Sequence, residues 1–422
     1  MSRPPNDFTK PGSENRPRVL FLAAEPPYPT VGGGPMRATS VLEYLAARFS
    51  VHGIFFREPG AADPAAAVPA GKLVRADVID LPFHSKSTLA RAARNAWRLI
   101  RNQPPLIDRF AGFAAQIERC VQGQRYQAAF IEHFWCAPYM EQLRPVAQRV
   151  ILDVYNVESA WHQSMANAEG GALGWAHRRF ARAALASERR WFPRFDRILT
   201  TSCDDARLVR GISPNAKVTV YSNALPFLAQ PCRAERRDIV FSGNLEYAPN
   251  IQAVRFFHRD IWPALKSRWP GLRWKILSRN AGALRDLPAS DPRIQITGFV
   301  QDAVAVIAEA QVAVVPLLAG SGTRIKILEA WAAGTPVVST TIGAEGLEFR
   351  DGEHLILADA AGQFADAVSR LLGSPADRTR LGTAGRRLYE ERYTWKAVWK
   401  ALEEALDPAA VDRDRETRYD CP

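Results

Sequence analysis

The stretch VVPLLAGSGTRIKILEAWAAGTPVVST, residues 314–340, contains the patterns of a strand, a glycine loop and a helix in direct succession. Its opening apolar run is typical of a parallel strand that is covered on both faces. The glycine loop lies at 320–322, and a helix carrying Arg324, Lys326 and Glu329 is predicted to begin at once. Backbone N–H groups at a helix N-terminus, together with two nearby cations, suit the binding of a pyrophosphate. The Glu329 carboxylate, one turn further on, can accept hydrogen bonds from paired hydroxyls such as those of a ribose.

The same residues also have a purely structural interpretation. Lys326 and Glu329 are spaced as an i, i+3 surface pair, which contributes about 0.2–0.5 kcal/mol, and the glycines can simply form a turn. We favour the binding interpretation because the segment resembles, in order and spacing, the donor-binding motif of retaining GT-B glycosyltransferases, the group called family 4. The stretch GAEGLEF, residues 343–349, continues that match.

The resemblance covers nearly the whole chain, residues 18–406. The stretch FSGNLEYAPNIQAVRFFHRDIWPAL, residues 241–265, is similar to the opening of the family's donor domain in bacterial enzymes that make cell-surface polysaccharides. The stretch ITGFVQD, residues 296–302, resembles the loop that holds the nucleotide base. The resemblance therefore implies that Phe299 and Val300 lie beside the base.

One position departs from the family pattern. Relatives commonly carry a pair of glutamates in this stretch. In this chain Glu329 matches one of them, and Ser321 stands at the position of the other. The resemblance implies that Glu329 binds the ribose. Residues 320–323 are therefore expected to contact the sugar through backbone groups and hydroxyls, with Arg324 and Lys326 as phosphate ligands. The predicted donor-binding residues are Gly243, Phe299, Val300, Gly320, Ser321, Gly322, Thr323, Arg324, Lys326 and Glu329.

The length of the chain, 422 residues, exceeds what a single hydrophobic core usually serves, so two domains are expected. The alternation of strand and helix patterns restarts at DIVFSGN, residues 238–244. We predict an α/β fold of the GT-B class, with two Rossmann-like domains facing across a cleft. The predicted parts are a disordered tail at 1–17, an acceptor-side domain at 18–222, a linker at 223–237, a nucleotide-sugar-binding domain at 238–393, a helix at 394–406 and a disordered tail at 407–422.

A second glycine loop follows the first predicted strand. The apolar run RVLFLAA, residues 18–24, leads through Gly32, Gly33 and Gly34 into a helical pattern, which is a Rossmann opening. The backbone of these glycines can approach a phosphate or an acceptor closely, although three glycines can also be a flexible surface loop. Arg37, just inside the helix, is a predicted partner for an anionic group.

Polar residues follow two further strand patterns of the N-terminal half. His133 follows an apolar run in the stretch FIEHFWCAPY, residues 130–139. Asn156 and Glu158 follow another in the stretch ILDVYNVESAWH, residues 151–162. The carboxyl ends of parallel strands form the binding edge of such sheets, although a lone histidine is usually structural. We predict His133, Asn156 and Glu158 as acceptor-side catalytic candidates, with Glu188 as a weaker one.

A basic amphipathic pattern occupies residues 89–101. The apolar residues Leu89, Ala93, Trp97 and Ile100 recur beside several arginines, and the whole chain carries a net charge of +11. Such a helix either docks on an anionic membrane surface or is an ordinary surface helix whose apolar stripe faces the core.

We predict an enzyme that moves a sugar from a nucleoside diphosphate sugar to a hydroxyl acceptor, with retention as the resemblance implies. The expected donor is a UDP- or GDP-sugar, and a lipid-linked glycan is an expected acceptor. The chain has no apolar run that would span a bilayer and no CxxC pair, so we expect a cytoplasmic protein at the inner membrane face, without metal or cofactor. Alternatives are a nucleotide-sugar epimerase of the same fold and a non-catalytic nucleotide-sugar-binding partner. We find no nucleic-acid-binding motif.

Overall fold

The structure is a computed structural model that describes residues 16–30, 32–85, 87–232, 236–278, 281–284, 286–287, 291–298, 300–319 and 324–407. The predicted disordered tails fall mostly outside these ranges. The chain divides into two compact units. The first contains the chain up to Ser222 and from Trp399 onward, and the second contains Asn223–Val398.

The first unit is built on a parallel sheet. Its described strands are β1 (Arg18–Ala23), β2 (Ser50–Arg57), β3 (Arg75–Asp80), β4 (Ala128–Glu132), β5 (Val150–Val154), β6 (Arg197–Thr200) and β7 (Val218–Val220). They lie in the order β3-β2-β1-β4-β5-β6-β7. Every residue of β4 and β5 is buried, which explains why these sequences are apolar apart from Glu132 and Asp153, because a strand covered on both faces has no solvent-facing side.

Helices connect and cover these strands. They are α1 (Gly33–Arg48), α2 (Thr88–Ile100), α3 (Pro105–Arg109), α4 (Ala114–Val121), α5 (Met140–Leu143), α6 (Glu158–Ala168), α7 (Gly171–Trp191) and α8 (Cys203–Ile212). The strand order reverses between β1 and β4, where Ala23 is paired with Glu132. The segments that follow these two strands therefore begin side by side, which is where open α/β sheets bind ligands.

The second unit is also built on a parallel sheet with connecting helices. Its described strands are β8 (Arg236–Ser242), β9 (Arg273–Leu277), β10 (Ile294–Ile296), β11 (Ala310–Val315), β12 (Val337–Ser339) and β13 (Ile356–Leu357), in the order β10-β9-β8-β11-β12-β13. Its helices are α9 (Ala248–Phe256), α10 (Trp262–Arg268), α11 (Ala303–Ala308), α12 (Ile325–Ala332), α13 (Ala361–Gly373) and α14 (Pro375–Arg392). The order reverses between β8 and β11, and α12 follows β11.

A last helix, α15 (Trp395–Leu406), is divided between the units. Its part from Trp399 onward belongs to the first unit, where the Trp399 indole donates to Ser40 Oγ at 3.1 Å. Arg149 of the same unit donates to the carbonyl of Leu406 at 3.3 Å. Within the described ranges, no helix combines the length and apolar character that crossing a bilayer requires.

The α/β prediction with two parallel sheets is confirmed, and two details differ. The sequence pattern predicts one helix over 250–268, but a π-helical turn at Phe257–Ile261 separates α9 from α10. Pro263 follows this turn and has no N–H to continue the regular ladder, which accounts for the interruption. The short edge strand β7 was not predicted because its residues are only half buried and show no apolar run.

Candidate functional site

Glu329 lies at the switch point of the second unit. It is on α12, and its Oε2 accepts a hydrogen bond of 2.9 Å from Ser242 Oγ at the end of β8. Burial raises the pKa of Glu329, and the hydrogen bond from Ser242 and the charge of Lys326 partly offset this. The carboxyl group is thus fixed at the point where the strand order reverses, as the placement of a ribose-binding group requires.

Lys326 points to the loop that follows β8. Its Nζ donates to Asn250 Oδ1 at 3.2 Å, and Asn250 Nδ2 donates to the carbonyl of Asn244 at 2.8 Å. Burial and the neighbouring Arg324 lower the pKa of Lys326 to about 7. Gly243 allows this packing, because a Cβ at that position would lie 3.0 Å from Asn250 Nδ2. Gly243 therefore makes room for the residue that holds Lys326.

Arg324 precedes α12 and is almost entirely buried. Its Nε donates to the carbonyl of Ile342 at 3.2 Å, and one terminal nitrogen lies 3.2 Å from Glu345 Oε2. Both partners belong to the segment after β12. The guanidinium is therefore oriented by a second loop at the same edge of the sheet, and two cations stand beside the start of α12.

Arg37 of the first unit is the centre of a buried ion pair. Its Nε lies 2.8 Å and 3.0 Å from the two carboxylate oxygens of Asp153, and its side chain is 1% exposed. It also donates to the carbonyl of Tyr221. Arg37, the predicted partner for an anionic group, is therefore paired inside the protein with Asp153 at the end of β5.

His133 has an unusual backbone and a confined ring. Its φ is 68°, which is rare for a residue with a side chain. The imidazole stacks on Trp135, with ring centroids 4.0 Å apart and planes at 6°, and on Tyr155 with centroids 3.8 Å apart. Its Nε2 lies 3.5 Å from Oε2 of Glu25, a residue just beyond β1.

Glu132 lies beneath this ring cluster. Its Oε2 accepts a hydrogen bond of 2.5 Å from the hydroxyl of Tyr155. Complete burial and the nearby Asp153 raise the pKa of Glu132 well above its ordinary value. The neutral carboxyl group therefore anchors Tyr155, while Asp153 serves as the partner of Arg37.

The chain was compared with known proteins. Residues 236–374 match the family model described as "Glycosyl transferases group 1". A 122-residue stretch is 38% identical to the phosphatidyl-myo-inositol mannosyltransferase of Mycobacterium leprae, and it covers 28% of this chain and 32% of that protein. This part of the chain is therefore similar to group 1 glycosyltransferases.

Solved structures of other proteins have the same fold over most of this chain. Sucrose-phosphate synthase from Thermosynechococcus elongatus has a TM-score of 0.70 at 18% identity, over 92% of this chain and 97% of that one. Anabaena HepE in complex with UDP-glucose has a TM-score of 0.63 at 12% identity, over 92% and 99%. The predicted GT-B fold is thereby confirmed, as is the resemblance to GT-B glycosyltransferases. The match to the curated mannosyltransferase spans only about a third of that protein.

The predicted donor-side residues fall into three groups. Gly243, Arg324, Lys326 and Glu329 gather at the edge where β8 and β11 end. Val300 is half-buried in a segment without regular structure. The remaining predicted residues lie outside the described residues: Phe299, Gly320, Ser321, Gly322 and Thr323.

The glycine loop of the first unit opens α1. Gly32 precedes the helix with a φ of 94°, a conformation that favours glycine, while Gly33 and Gly34 form its first turn. Gly34 lies against Glu25, since a Cβ there would be 2.3 Å from Glu25 Oε2. The loop thus approaches a carboxylate.

Glu158 has a supporting position that differs from the predicted catalytic one. Its buried carboxyl Oε1 accepts a hydrogen bond of 2.7 Å from the indole of Trp135. Burial raises the pKa of Glu158 to about 7. Glu188, the weaker candidate, is also buried and accepts bonds from the backbone and the hydroxyl of Ser159 at the start of α6. Both carboxyl groups are engaged inside the protein, whereas Asn156 is half-buried between β5 and α6.

Sequence reasoning did not find several residues of these clusters. Glu25, Trp135 and Tyr155 surround His133, yet none carried a signal beyond its place near the end of a strand. Asn250 and Ser242 hold the two central side chains of α12. The quoted stretch FSGNLEYAPN includes both, and their places at the end of β8 and at the start of α9 were the available signal.

Proposed function

We propose that this chain transfers a sugar from a nucleoside diphosphate sugar to a hydroxyl acceptor, with retention of configuration. One observation carries the proposal. A half-buried lysine and a half-buried glutamate, Lys326 and Glu329, stand one turn apart on α12 at the switch point of a parallel sheet, in the part of the chain that matches group 1 glycosyltransferases. A cation and a carboxyl group at this spacing fit the phosphate and ribose of one nucleotide.

The charges support departure of a nucleoside diphosphate. Arg324 and Lys326 would stabilise the negative charge that develops on the leaving phosphate, and both are held by neighbouring loops before the ligand arrives. In enzymes of the resembling family, the departing phosphate is commonly proposed to assist deprotonation of the acceptor. This mechanism requires no separate protein base, which agrees with the internal hydrogen bonding of Glu158 and Glu188.

The donor is proposed to be a UDP- or GDP-sugar. The similar Anabaena structure contains UDP-glucose, and the matching mycobacterial protein is named a mannosyltransferase. The acceptor is proposed to belong to cell-surface polysaccharide or glycan synthesis and to be lipid-linked.

Contact with an anionic membrane belongs to this proposal, and α2 supports it. The apolar residues Leu89, Trp97 and Ile100 are exposed to 84%, 58% and 76%, so the alternative in which this stripe packs into the core is wrong. Arg98 instead turns inward and pairs with Asp108 at 2.8 Å. An exposed apolar stripe on a basic helix is suited to the surface of a bilayer, and it supports the proposal that the protein docks at the inner membrane face.

Binding of the four diphosphates UDP, GDP, ADP and TDP, measured by calorimetry and thermal shift, tests the donor site. We expect one of them to raise the unfolding temperature and to do so less in the Glu329→Ala variant. The corresponding nucleotide sugar is then incubated with and without hydroxyl acceptors, and the anomeric configuration of the product is determined by NMR. A nucleotide sugar isomer formed without acceptor would support an epimerase instead, and binding without turnover would support a non-catalytic partner.

A further inference from the structure

A cavity of about 510 Å³ lies at the amino edge of the sheet of the first unit, opposite the edge that holds the switch point. Its wall includes residues at the amino ends of three neighbouring strands: Arg18 for β1, Tyr126 and Gln127 for β4, and Gln148 for β5. Backbone hydrogen bonds fix these segments, since the Gln127 N–H donates to the carbonyl of Arg18 at 2.8 Å and the Gln148 N–H donates to that of Tyr126 at 3.0 Å. Cavities of this volume commonly hold small organic ligands.

The length of the strands separates this cavity from the switch point. The strand β1 has six residues, and a strand rises about 3.3 Å per residue, so the two edges of the sheet are roughly 17–20 Å apart. A small ligand in the cavity therefore does not reach the carboxyl ends of β1 and β4. The proposed transfer reaction makes no use of the cavity.

Two arginines of the wall are oriented by neutral groups. Arg18 Nη1 donates to Gln124 Oε1 at 2.8 Å, and Arg125 Nη1 donates to the carbonyl of Pro145 at 3.2 Å. Among the residues that the structure describes, no carboxylate pairs with either arginine and none lines the cavity. Both side chains are exposed to solvent. The two guanidinium charges thus favour an anion, and their fork of N–H donors suits a phosphate.

The wall also offers a hydrogen-bond acceptor and apolar surface. Gln127 Oε1 is buried and has no hydrogen-bond partner within the described ranges. A buried acceptor of this kind is costly unless a donor reaches it. The oxygens of a phosphate are acceptors, so the donor has to be another group of the ligand, such as a hydroxyl. Pro17, Pro145 and Val146 supply apolar surface for a carbon skeleton.

We propose that this cavity binds a small organic phosphate that carries a hydroxyl group. Arg18 and Arg125 bind the phosphate, and the hydroxyl donates to Gln127 Oε1. The site is independent of the proposed donor site, because Arg324 and Lys326 belong to the second unit.

Tyr126 connects the cavity to a histidine that can report its occupancy. The hydroxyl oxygen of Tyr126 lies 2.5 Å from His52 Nδ1, and His52 Nε2 lies 2.7 Å from Asp77 Oδ2. Burial lowers the pKa of His52, Asp77 raises it in part, and the charges of Arg75 and Arg18 lower it further. A phosphate bound at Arg18 offsets one of these charges, so its binding should raise the pKa of His52.

The probe is glycerol 2-phosphate, compared with inorganic phosphate and with glycerol by titration calorimetry. The variants Arg18→Gln and Arg125→Gln each remove one charge, and Gln127→Leu removes the acceptor. The matched control is Arg182→Gln, an exposed arginine of α7 outside the cavity. Arg324→Ala tests whether the probe binds at the donor site instead. The midpoint of thermal unfolding shows that each variant is folded.

We expect the wild type to bind glycerol 2-phosphate more tightly than inorganic phosphate and not to bind glycerol. Each arginine variant should weaken binding roughly 3- to 10-fold, less than a buried hydrogen bond to a charged group would give, because both side chains are exposed. Gln127→Leu should reduce the affinity for glycerol 2-phosphate to that for inorganic phosphate. Arg182→Gln and Arg324→Ala should bind as the wild type does.

No binding of the probe at millimolar concentration overturns the proposal, as does an affinity that neither arginine variant changes. Loss of binding in Arg324→Ala alone assigns the probe to the donor site and also overturns it. Equal affinities of the wild type for glycerol 2-phosphate and inorganic phosphate refute the hydroxyl contact with Gln127.

A second readout uses the wild-type protein alone and so does not depend on the folding of a variant. The ring signals of His52, assigned with His52→Asn, are followed by NMR as the pH is changed, with and without saturating glycerol 2-phosphate. We expect the probe to raise the pKa of His52. An unchanged pKa at saturation excludes a phosphate beside Arg18 and refutes the site.

Discussion

Asn250 Oδ1 accepts a hydrogen bond of 3.2 Å from the ammonium group of Lys326, and the Asn250 amide donates to the carbonyl of Asn244. The lysine is therefore oriented by a neutral amide. Burial and Arg324 disfavour the charged form of Lys326, and the charge of Glu329 favours it. A diphosphate would supply the missing negative charge, so ligand binding and lysine ionisation should be coupled.

Replacing Asn250 by alanine should lower affinity for the nucleoside diphosphate about 3- to 10-fold, because Lys326 loses the hydrogen bond that orients it. Calorimetric titration measures the effect. Gln252→Ala, on the same helix, is the control. Equal affinities of Asn250→Ala and wild type would show that the amide does not position the lysine.

Diphosphate affinity should fall as the pH rises above about 7. The pKa of Lys326 is lowered to about 7, so above this pH the free protein must take up a proton when the anion binds. Phosphate groups lose their second proton near pH 6, so the ligand charge is nearly constant in this range. The affinity should fall by up to about tenfold per pH unit between pH 7 and 9.

The control for this pH profile is Lys326→Arg, whose guanidinium stays charged throughout. We expect its diphosphate affinity to be nearly independent of pH in the same range. Calorimetry in two buffers with different ionisation heats should detect proton uptake by the wild type at pH 8 and none by the variant. Identical pH profiles of the two proteins would exclude Lys326 as the titrating group.

The sequence predicted the sheets well because a parallel strand covered on both faces is mostly apolar. The bounds of β4 (Ala128–Glu132) and β5 (Val150–Val154) coincide with such runs, in which Glu132 and Asp153 are the buried exceptions. The residues of α12 could likewise be predicted together, since Arg324, Lys326 and Glu329 share one local stretch. Local sequence patterns thus predict the positions of strands and the functional side chains that share one helix.

Contacts between distant residues could not be predicted. Glu25 and His133 are over a hundred positions apart, and only the pairing of β1 with β4 brings them together. Arg37 appeared available because it lies on α1, whereas its partner, Asp153, lies on β5, 116 positions further along the chain. Whether a polar side chain faces solvent, a ligand or another buried group depends on packing across the sheet, which a single sequence does not encode locally.

Arg324→Ala should weaken nucleoside diphosphate binding by roughly 1.5–3 kcal/mol, the scale of a hydrogen bond to a charged group. The reason is its place beside the start of α12, where the guanidinium is oriented by Ile342 and Glu345. Arg350→Ala is the control, since that side chain is 79% exposed. Titration calorimetry at pH 7 measures both, and equal affinities would remove Arg324 from the phosphate site.

Glu158→Gln should stabilise the protein at pH 8 and change little at pH 5. Burial raises the pKa of Glu158 from 4.5 to about 7, so the folded state holds the proton more tightly than the unfolded state. The stabilisation is complete below pH 4.5 and is lost as the pH rises through 7. The amide of glutamine still accepts from Trp135, so the variant avoids this loss, which amounts to about 1–3 kcal/mol.

The midpoint of thermal unfolding, measured for both proteins from pH 5 to 8, tests this prediction. The difference between Glu158→Gln and wild type should grow with pH in favour of the variant. Glu118→Gln, an exposed carboxylate of α4, should show no such trend. A constant difference would mean that Glu158 is ionised in the folded protein over the whole range.

The apolar stripe of α2 should bind anionic vesicles. Leu89, Trp97 and Ile100 are exposed, and burying each in the bilayer interface would contribute about 1.5–3 kcal/mol at most. Arg91 and Arg101, also exposed, would add attraction to anionic lipid that weakens with salt. Wild-type protein should therefore cosediment with phosphatidylglycerol vesicles more than with phosphatidylcholine vesicles, and less at high ionic strength.

Changing these three apolar residues to glutamine should reduce cosedimentation at least about tenfold while leaving diphosphate affinity intact, because α2 and α12 belong to different units. The single variant Leu208→Gln, on exposed α8, controls for loss of an apolar side chain elsewhere. Equal binding of the triple variant and the wild type would refute this docking surface. Equal binding to both lipids would instead remove the role of the arginines, since apolar insertion alone does not distinguish the head groups.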